Sequence, residues 1–175
     1  PSAGQAQMPT SLPDGDPVLV LEPNALSART GPVPDVEHFV PSVLARIARS
    51  GKPITIAATG QMVQRALEAS EMLARENIEA EVIDLRTVDA GYDRETIRES
   101  LIKTGHIMIA DEDRAIGGFG SSVAAEIASN WWHHVHGPIG RVHPKFTRVS
   151  YGPQGEKAVM PSPDSVVAEA LRILS

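Results

Sequence analysis

The sequence predicts a three-layer α/β/α fold, in which helices cover both faces of a mostly parallel, mixed sheet of about five strands. Three observations indicate this fold. From residue 51 onward, short apolar segments alternate with longer segments of helical period. Strands that are joined through helices form right-handed crossovers, which make a sheet parallel. The chain has 175 residues and is 42% hydrophobic, which is enough for one buried core.

Four short apolar segments have the length and composition of buried strands. They are ITIAA (54–58), AEVIDL (80–85), HIMIA (106–110) and IGRVH (139–143). A fifth segment, PVLVLE (17–22), lies apart from them among proline, glycine and small polar residues. Because one strand cannot form a domain, we expect the sheet of this fifth segment to lie elsewhere.

Amphipathic helices are predicted between and after these strands. Asp93 and Ser162 are the predicted N-caps of the second and last helices, and Gly105 is predicted to end the second. Glu99 and Lys103 are predicted to form an exposed ion pair on the second helix. The apolar positions are Met62, Ala66, Ala69 and Leu73 in the first helix (61–77), Ile97 and Leu101 in the second (from 94), Ala124, Ile127, Ala128 and Trp131 in the third (121–132), and Val167, Ala170, Leu171 and Leu174 in the last (from 163).

The composition excludes several classes of function. The net charge is -6 and no segment is strongly basic, which argues against binding nucleic acid. No run of 18 apolar residues is present, which argues against a membrane span. The absence of cysteine excludes disulfides, thiolate catalysis and cysteine-ligated metals, and it suits a reducing cytoplasm. The first residues lack the pattern of a signal peptide, so we expect a cytoplasmic protein.

The loop DEDRAIGGFG follows the third regular strand and precedes a helix. Asp111, Glu112, Gly117, Gly118 and Gly120 are its candidate functional residues. The glycines allow a close backbone approach to an anion, but the acidic triplet repels phosphate and the spacing is not that of a dinucleotide-binding loop. A turn that brings main chain close to a neighbouring domain is favoured. The alternatives are a phosphate site, a cation or acid–base site, and helix capping by the carboxylates.

The segment WWHHVH suggests a metal site, because His133 and His136 are three residues apart and His143 is a candidate third ligand. No carboxylate stands at helical spacing to complete the ligands, and histidines near a helix C-terminus also interact with its dipole. The sequence contains no G-x-S-x-G elbow for a hydrolase nucleophile. The residues alone therefore predict a fold but do not identify a chemical reaction.

Several motifs together resemble a known family. From about Asp14 onward, segments that include DGDPVLVLE, EVIDLRT, GGFG, GPIGRVH and EKAVMPS follow in order. They resemble the C-terminal half of the beta subunit of thiamine-diphosphate-dependent 2-oxo-acid dehydrogenases, such as pyruvate, branched-chain and acetoin dehydrogenases. The resemblance implies a transketolase C-terminal-type domain over 51–175, a linker over 28–50, and a tail of an upstream pyrimidine-binding domain over 1–27.

The resemblance also implies a role in assembly. In the family, the partner alpha subunit holds the diphosphate and magnesium, and the activating glutamate lies in the first beta domain. We therefore expect a truncated beta subunit that associates with an alpha subunit and a second beta subunit, and we assign it no catalytic or cofactor-binding residue. The alternative is a free-standing flavodoxin-like module that binds a small anion or nucleotide through ATGQ and GGFG.

Relatives carry a structural potassium ion near the strand that corresponds to PVLVLE. The matching positions are Ser11, Leu12, Asp14 and Asp16, where Asp16 replaces the usual asparagine and Pro13 stands where arginine is common. The alternative is an Asp-Gly turn.

Relatives also dock the dihydrolipoyl acyltransferase core on this domain, through an acidic residue before an Ala-Pro pair and through the terminal carboxylate. The matching positions here are His136 and Ser175. Because a histidine cannot replace a carboxylate opposite an arginine, the usual docking geometry is in question.

Overall fold

The computed structural model describes residues 43–88, 91–148 and 152–175. The predicted strand at 17–22 therefore lies outside the described residues. The strands are β1 (Arg46–Arg49), β2 (Ile54–Ala58), β3 (Glu81–Asp84), β4 (His106–Ala110) and β5 (Gly140–Val142). The helices are α1 (Met62–Ala74), α2 (Arg94–Thr104), α3 (Phe119–Asn130), α4 (Pro153–Val159) and α5 (Pro163–Leu174), with a 3-10 turn at Trp132–His134.

The described strands form one mixed sheet in the order β1-β3-β2-β4-β5. β3, β2, β4 and β5 run parallel, with Ile54 opposite His106 and Ala58 opposite Ala110 in the central pair. β1 runs antiparallel along β3 and forms one edge of the sheet. The predicted fold class, a mostly parallel mixed sheet between helices, is confirmed.

Two apolar clusters hold helices on the two faces of this sheet. One cluster joins α1 and α5 to alternate side chains of the strands, with Ile54 and Ile56 at its centre. The other joins α2 and α3 to the opposite face through Ala57, Ile107 and Ile109. Every residue of β2 is buried, as expected for the central strand of a parallel sheet covered on both faces.

The predicted faces of the first two helices agree with the structure. All four predicted positions of α1 are fully buried, as are both of α2. The Asp93 carboxylate accepts the backbone N–H of Thr96 at 3.1 Å, which caps α2. Gly105 ends the helix in the left-handed region with φ 75°, a conformation that favours glycine.

The predicted faces of the last two helices need correction. In α3, Val123 and Ile127 are buried, whereas Ala128 is exposed. In α5, the buried positions are Val166, Ala170 and Ile173, while Leu171 is 37% exposed. Apolar residues occur on more than one face of α5, so the helical period alone did not identify the side that meets the sheet.

Two elements were not predicted. β1, with sequence RIAR, lies within the predicted linker, and it joins the sheet as the antiparallel edge strand. The short helix α4 follows β5 and leads into α5. Among the described residues, no helix is long and apolar enough to cross a membrane.

A buried polar network joins α2 to β3 and β2. Glu81 is fully buried, and its carboxylate accepts hydrogen bonds from the Ser100 hydroxyl and the Lys103 ammonium. Thr55 Oγ1 lies 2.6 Å from Ser100 Oγ and 2.7 Å from Thr104 Oγ1. Lys103 was predicted to pair with Glu99 in solvent, and its contact with Glu81 corrects that prediction.

Candidate functional site

The loops that follow the parallel strands lie at the carboxyl edge of the sheet, which is the usual ligand position in open α/β folds. The chain passes from β2 to β3 on one side and then crosses back to β4 on the other. β2 and β4 are neighbours, so their loops meet where the strand order reverses. The loop after β4 is DEDRAIGGFG, which makes this point the candidate functional site.

Asp111 is buried at this point, with 2% of its surface exposed. Its carboxylate accepts the backbone N–H of Gly120 at 2.7 Å and that of Asp113 at 3.2 Å. Burial raises the pKa of Asp111 above its usual range, although these two hydrogen bonds and the charge of Arg141 oppose the shift. The carboxylate therefore closes the loop on itself and binds the first turn of α3.

The other two carboxylates of the triplet also bind helix starts. Asp113 Oδ2 accepts the backbone N–H of Phe119 at 3.3 Å, the first residue of α3. Glu112 Oε2 accepts the backbone N–H of Gln61 at 2.8 Å, the residue that precedes α1. The triplet thus caps two helices, and helix N-termini favour carboxylates for this purpose.

The glycines of the loop allow these short contacts. A Cβ on Gly120 would lie 2.0 Å from Asp111 Oδ2, and one on Gly118 would lie 2.3 Å from the Arg114 carbonyl oxygen. Gly117 has φ +75°, and a Cβ there would meet no atom within 4 Å, so only its backbone conformation favours glycine. These close contacts lie within the loop itself, and the predicted approach to a neighbouring domain stays a prediction.

These contacts bear on the phosphate and cation alternatives for the loop. Backbone N–H groups that would receive an anion at α1 and α3 already bind carboxylates, and a phosphate would meet three acidic side chains there. Among the described residues, no group of three or more His, Cys, Asp or Glu side chains is placed to hold a metal ion. In the described part of the chain, the carboxylates of this loop act as acceptors at the starts of two helices.

Apolar side chains project into solvent from the same edge of the sheet. Ile116, in the middle of the acidic loop, is 80% exposed, and Phe146, in the loop after β5, is 78% exposed. Val88, in the loop after β3, is 60% exposed. We call these three the edge residues. They lie on three different loops at one edge of the sheet.

The histidines of WWHHVH lie mainly at the opposite, amino edge of the sheet. The ring of His136 packs edge-on against that of His106, the first residue of β4, with the ring centroids 5.9 Å apart. His133 lies in the 3-10 turn, whereas His143 follows β5 at the carboxyl edge. The sheet separates His143 from the other two, so the structure does not assemble the three-histidine site.

The two predicted docking positions lie at the same amino edge. His136 donates its backbone N–H to the Gly105 carbonyl at 2.8 Å. A Cβ on the adjacent Gly137 would lie 3.3 Å from the carbonyl oxygen of Ile173, in the last turn of α5 before Ser175. The predicted potassium positions, Ser11, Leu12, Asp14 and Asp16, lie outside the described residues.

The chain is similar to proteins of known type. Residues 44–166 match the family described as "Transketolase, C-terminal domain". The chain is 34% identical over 164 residues to the beta subunit of acetoin:2,6-dichlorophenolindophenol oxidoreductase of Cupriavidus necator, covering 94% of this chain and 48% of that protein. It is 36% identical over 177 residues to the 2-oxoisovalerate dehydrogenase beta subunit of Bacillus subtilis, covering 100% of this chain and 54% of that protein.

A solved structure extends the similarity to three dimensions. The structure titled "Split gene transketolase, inactive beta4 tetramer" matches with a TM-score of 0.64 and 32% identity, covering 81% of this chain and 44% of that one. The chain spans about half the length of the curated relatives that it matches.

Proposed function

The chain belongs to the family of transketolase C-terminal domains, and from this membership we propose that it is the C-terminal part of a 2-oxo-acid dehydrogenase beta subunit. Its role is to hold subunits together. The reaction of the complete enzyme is then the oxidative decarboxylation of a 2-oxo acid, with transfer of the acyl group to lipoyl groups. The similarity to beta subunits over nearly the whole chain supports this assignment.

The assembly role rests on two features of the carboxyl edge. The carboxylates of the acidic loop are bound within the chain, and apolar side chains beside the loop are exposed. All three carboxylates of the loop are bound to backbone N–H groups. Ile116 and Phe146 nevertheless point into solvent at the same edge. Burying one such side chain contributes roughly 1.5–3 kcal/mol, which favours association over exposure.

The acidic loop does not fit thiamine diphosphate. A diphosphate needs free backbone donors or cations, and the backbone donors at the starts of α1 and α3 are occupied by Asp111, Glu112 and Asp113. When bound in a complete enzyme, that cofactor serves as the electron sink for decarboxylation. We assign the cofactor and magnesium to other parts of the enzyme, and no catalytic residue to this chain.

The partners proposed here are an alpha subunit and a second beta subunit, with the dihydrolipoyl acyltransferase core as a further partner at His136 and Ser175. The split-gene transketolase relative is titled a beta4 tetramer, which supports self-association as a property of this kind of subunit.

The potassium site stays a prediction of the resemblance, as does the upstream domain tail at 1–27. β1 lies inside the predicted linker at 28–50 and pairs with β3 in the sheet.

Light scattering after size-exclusion chromatography tests this role. We expect the 175-residue chain to self-associate, or to co-elute with a co-expressed alpha subunit. The substitutions Ile116→Ser and Phe146→Ser should weaken that association. Ile102→Ser is the matched control, because Ile102 is 48% exposed on α2, away from the carboxyl edge. A chain that stays monomeric at high concentration and binds no alpha subunit would contradict the assignment.

Equilibrium dialysis against nucleotides and phosphorylated metabolites tests the alternative of a free-standing module. Because the backbone donors at the candidate site are occupied, we expect no saturable binding there. Micromolar binding that is abolished by a change in the ATGQ or GGFG segments would favour the module over the assembly domain.

A further inference from the structure

The loop after β5 carries positive charge on an otherwise acidic chain. It spans residues 143–148, with the sequence HPKFTR, and we call it the basic loop. Four consecutive side chains of this loop are exposed: Lys145, Phe146, Thr147 and Arg148. Residues 127–155 contain no Asp or Glu, so all 22 acidic residues of the chain lie outside that range. Charges of opposite sign are therefore segregated along the sequence.

Backbone contacts hold the basic loop in place. The N–H of Lys145 donates to the Val159 carbonyl at 3.1 Å, which ties the loop to α4. The N–H of Thr147 donates to the Lys145 carbonyl at 2.8 Å, which closes a tight turn around Phe146. The Phe146 side chain is 78% exposed. An aromatic ring is thus held in solvent between the cations Lys145 and Arg148.

The two cations of the basic loop are unpaired in the described part of the chain. Neither the Lys145 ammonium nor the Arg148 guanidinium forms an ion pair with another described residue. Both side chains are exposed, so their charges are accessible to a group outside the chain.

The basic loop lies beside the acidic loop. β4 and β5 are parallel neighbours, with Ala110 opposite Val142 where the two strands end. The backbone N–H of Asp111 donates to the Val142 carbonyl at 3.1 Å, so the two loops leave the sheet side by side. No ion pair between described residues joins the loops. The carboxyl edge therefore presents adjacent patches of opposite charge that do not neutralise each other within the chain.

Glu112 and Asp113 are the exposed carboxylates of the acidic loop, and the cation Arg114 follows them. Both carboxylates accept backbone N–H groups at helix starts. An ionised carboxylate has about four acceptor positions, so these contacts leave room for a cation from another chain. Ile116 projects from this loop with 80% of its surface exposed, as Phe146 does from the basic loop.

We propose that the carboxyl edge pairs with the same edge of a second copy of this chain. A twofold axis places the basic loop of each copy against the acidic loop of the other, so the same contact forms twice. Lys145 and Arg148 of one copy face the carboxylates of the acidic loop of its partner. The exposed apolar side chains, Ile116 and Phe146, are covered in the same contact. This inference rests on the proposed assembly function and names the partner and the contacts at this edge.

A second copy fits this edge because a twofold contact requires a surface that is complementary to itself. The carboxyl edge meets that requirement, since it carries both signs of charge side by side, each with one exposed apolar side chain. Charge complementarity also sets the orientation, because two basic loops placed against each other repel. The relative titled a beta4 tetramer shows that a protein of similar fold self-associates.

Sedimentation equilibrium of the 175-residue chain with two charge-changed variants tests the contact. Lys145→Glu/Arg148→Glu reverses the basic loop. Glu112→Lys/Asp113→Asn makes the acidic loop positive, and asparagine at position 113 keeps an acceptor for α3. We expect wild type to dimerise and each variant alone to dimerise more weakly by about tenfold or more, because like charges meet across the axis.

An equal mixture of the two variants should recover dimers, because every contact in the mixed dimer again joins opposite charges. Net charge alone predicts a different result. It would make the acidic-loop variant associate more strongly than wild type, since that variant is less negative. Recovery on mixing therefore identifies reciprocal pairing of the two loops.

Lys52→Glu/Arg75→Glu is the matched control, because it changes the net charge as the basic-loop variant does, at exposed positions of the amino edge. It should change the dimer dissociation constant by less than about threefold. Circular dichroism confirms that each variant is folded. The inference is overturned if mixing recovers no dimers, if the control matches the basic-loop variant, or if wild type stays monomeric. A monomeric wild type that co-elutes with an alpha subunit would overturn this contact alone and leave the proposed function standing.

Discussion

The carboxylate of Glu112 accepts a hydrogen bond from the backbone N–H of Gln61 at 2.8 Å, which joins the loop after β4 to the start of α1. A Cβ on the neighbouring Gly60, which has φ +54°, would lie 2.3 Å from the same carboxylate oxygen. The acidic side chain occupies the position where an open α/β sheet usually receives a ligand. This contact therefore links the loop after β4 to the start of α1 at the carboxyl edge of the sheet.

Removing the hydrogen bond between Gln61 and Glu112 should destabilise the protein slightly. We expect Glu112→Ala to lower the free energy of unfolding by about 0.5–1 kcal/mol, because α1 loses an exposed N-terminal acceptor. Glu76→Ala is the control, since Glu76 is an exposed acid just past the end of α1. Urea unfolding should show a larger loss for Glu112→Ala than for the control. Equal losses would mean that the contact with Gln61 contributes nothing.

Asp111 should make stability depend on pH in a particular direction. Burial raises its pKa in the folded state, so its stabilising contribution is complete below the unfolded pKa of about 3.9 and is lost as pH rises through the folded pKa. The asparagine of the Asp111→Asn variant does not ionise, so its stability carries no contribution from titration at this position. We therefore expect wild type to exceed Asp111→Asn in unfolding free energy by more near pH 4 than near pH 7. Urea unfolding at both values checks this, and a difference that grows with pH contradicts it.

The ion pair of Lys103 with the buried Glu81 should contribute more than a surface pair. We expect Lys103→Gln to cost on the order of 2–3 kcal/mol, because it leaves a buried carboxylate without its cation, although the exposure of Lys103 softens the effect. The double variant Glu81→Gln/Lys103→Gln should recover part of this loss. Thermal and urea unfolding measure both variants.

Lys157→Gln, a surface control on α4, should stay within about 0.5 kcal/mol of wild type. If Lys103→Gln matched that control, or if the double variant were the least stable of the three, the Glu81 contact would not stabilise the fold.

Two glycines of the acidic loop should respond differently to a methyl group. Gly120→Ala places a Cβ 2.0 Å from Asp111 Oδ2, so the carboxylate must leave its cap, at a cost of about 1–3 kcal/mol. Gly117→Ala meets no atom within 4 Å, and only the strain of a positive φ remains, about 1 kcal/mol. Chemical denaturation should rank Gly120→Ala below Gly117→Ala in stability.

A double-mutant cycle identifies the cause of the Gly120 effect. Asp111→Ala/Gly120→Ala should lose less than the sum of the two single variants, because the clash requires the Asp111 carboxylate. Additive losses would indicate that the methyl group disturbs something other than this contact.

Much of the fold was predictable because its two central strands, β2 and β4, are almost wholly buried and its helices carry clear signals. ITIAA and HIMIA read as continuous apolar segments, which is what a central parallel strand requires. Asp93 and Gly105 mark both ends of α2 through side-chain and backbone chemistry that depends on local sequence alone.

β1 was missed because it has no local strand signal. Its sequence is RIAR, it lies at an edge, and Arg46 and Ile47 are exposed, so no apolar run marks it. The pairing partner that defines it is β3, more than thirty residues later. The contact of Lys103 with Glu81 was also missed, because no local signal shows that an acidic residue at the start of β3 is buried beside α2.

The candidate site was predictable in part. The acidic triplet and glycines were identified from sequence, and helix capping was among the alternatives. Which helix each carboxylate caps depends on β2 and β4 being neighbours, and that is a property of the topology. Ile116 and Phe146 gave no periodic signal, because each is a lone apolar residue in a polar loop.

The strand order also constrains how the chain folds. β2 pairs with β3 and β4, which both come later in the sequence, so the central strand has no sheet partner until a whole crossover helix has formed behind it. No described strand pair is a hairpin, so each pairing closes a long loop, and its entropy must be offset by the apolar contacts that follow. From this strand order we expect the sheet to grow outward from its middle, and we expect the edge strand β1, although it comes first in the described chain, to dock only after β3 is in place.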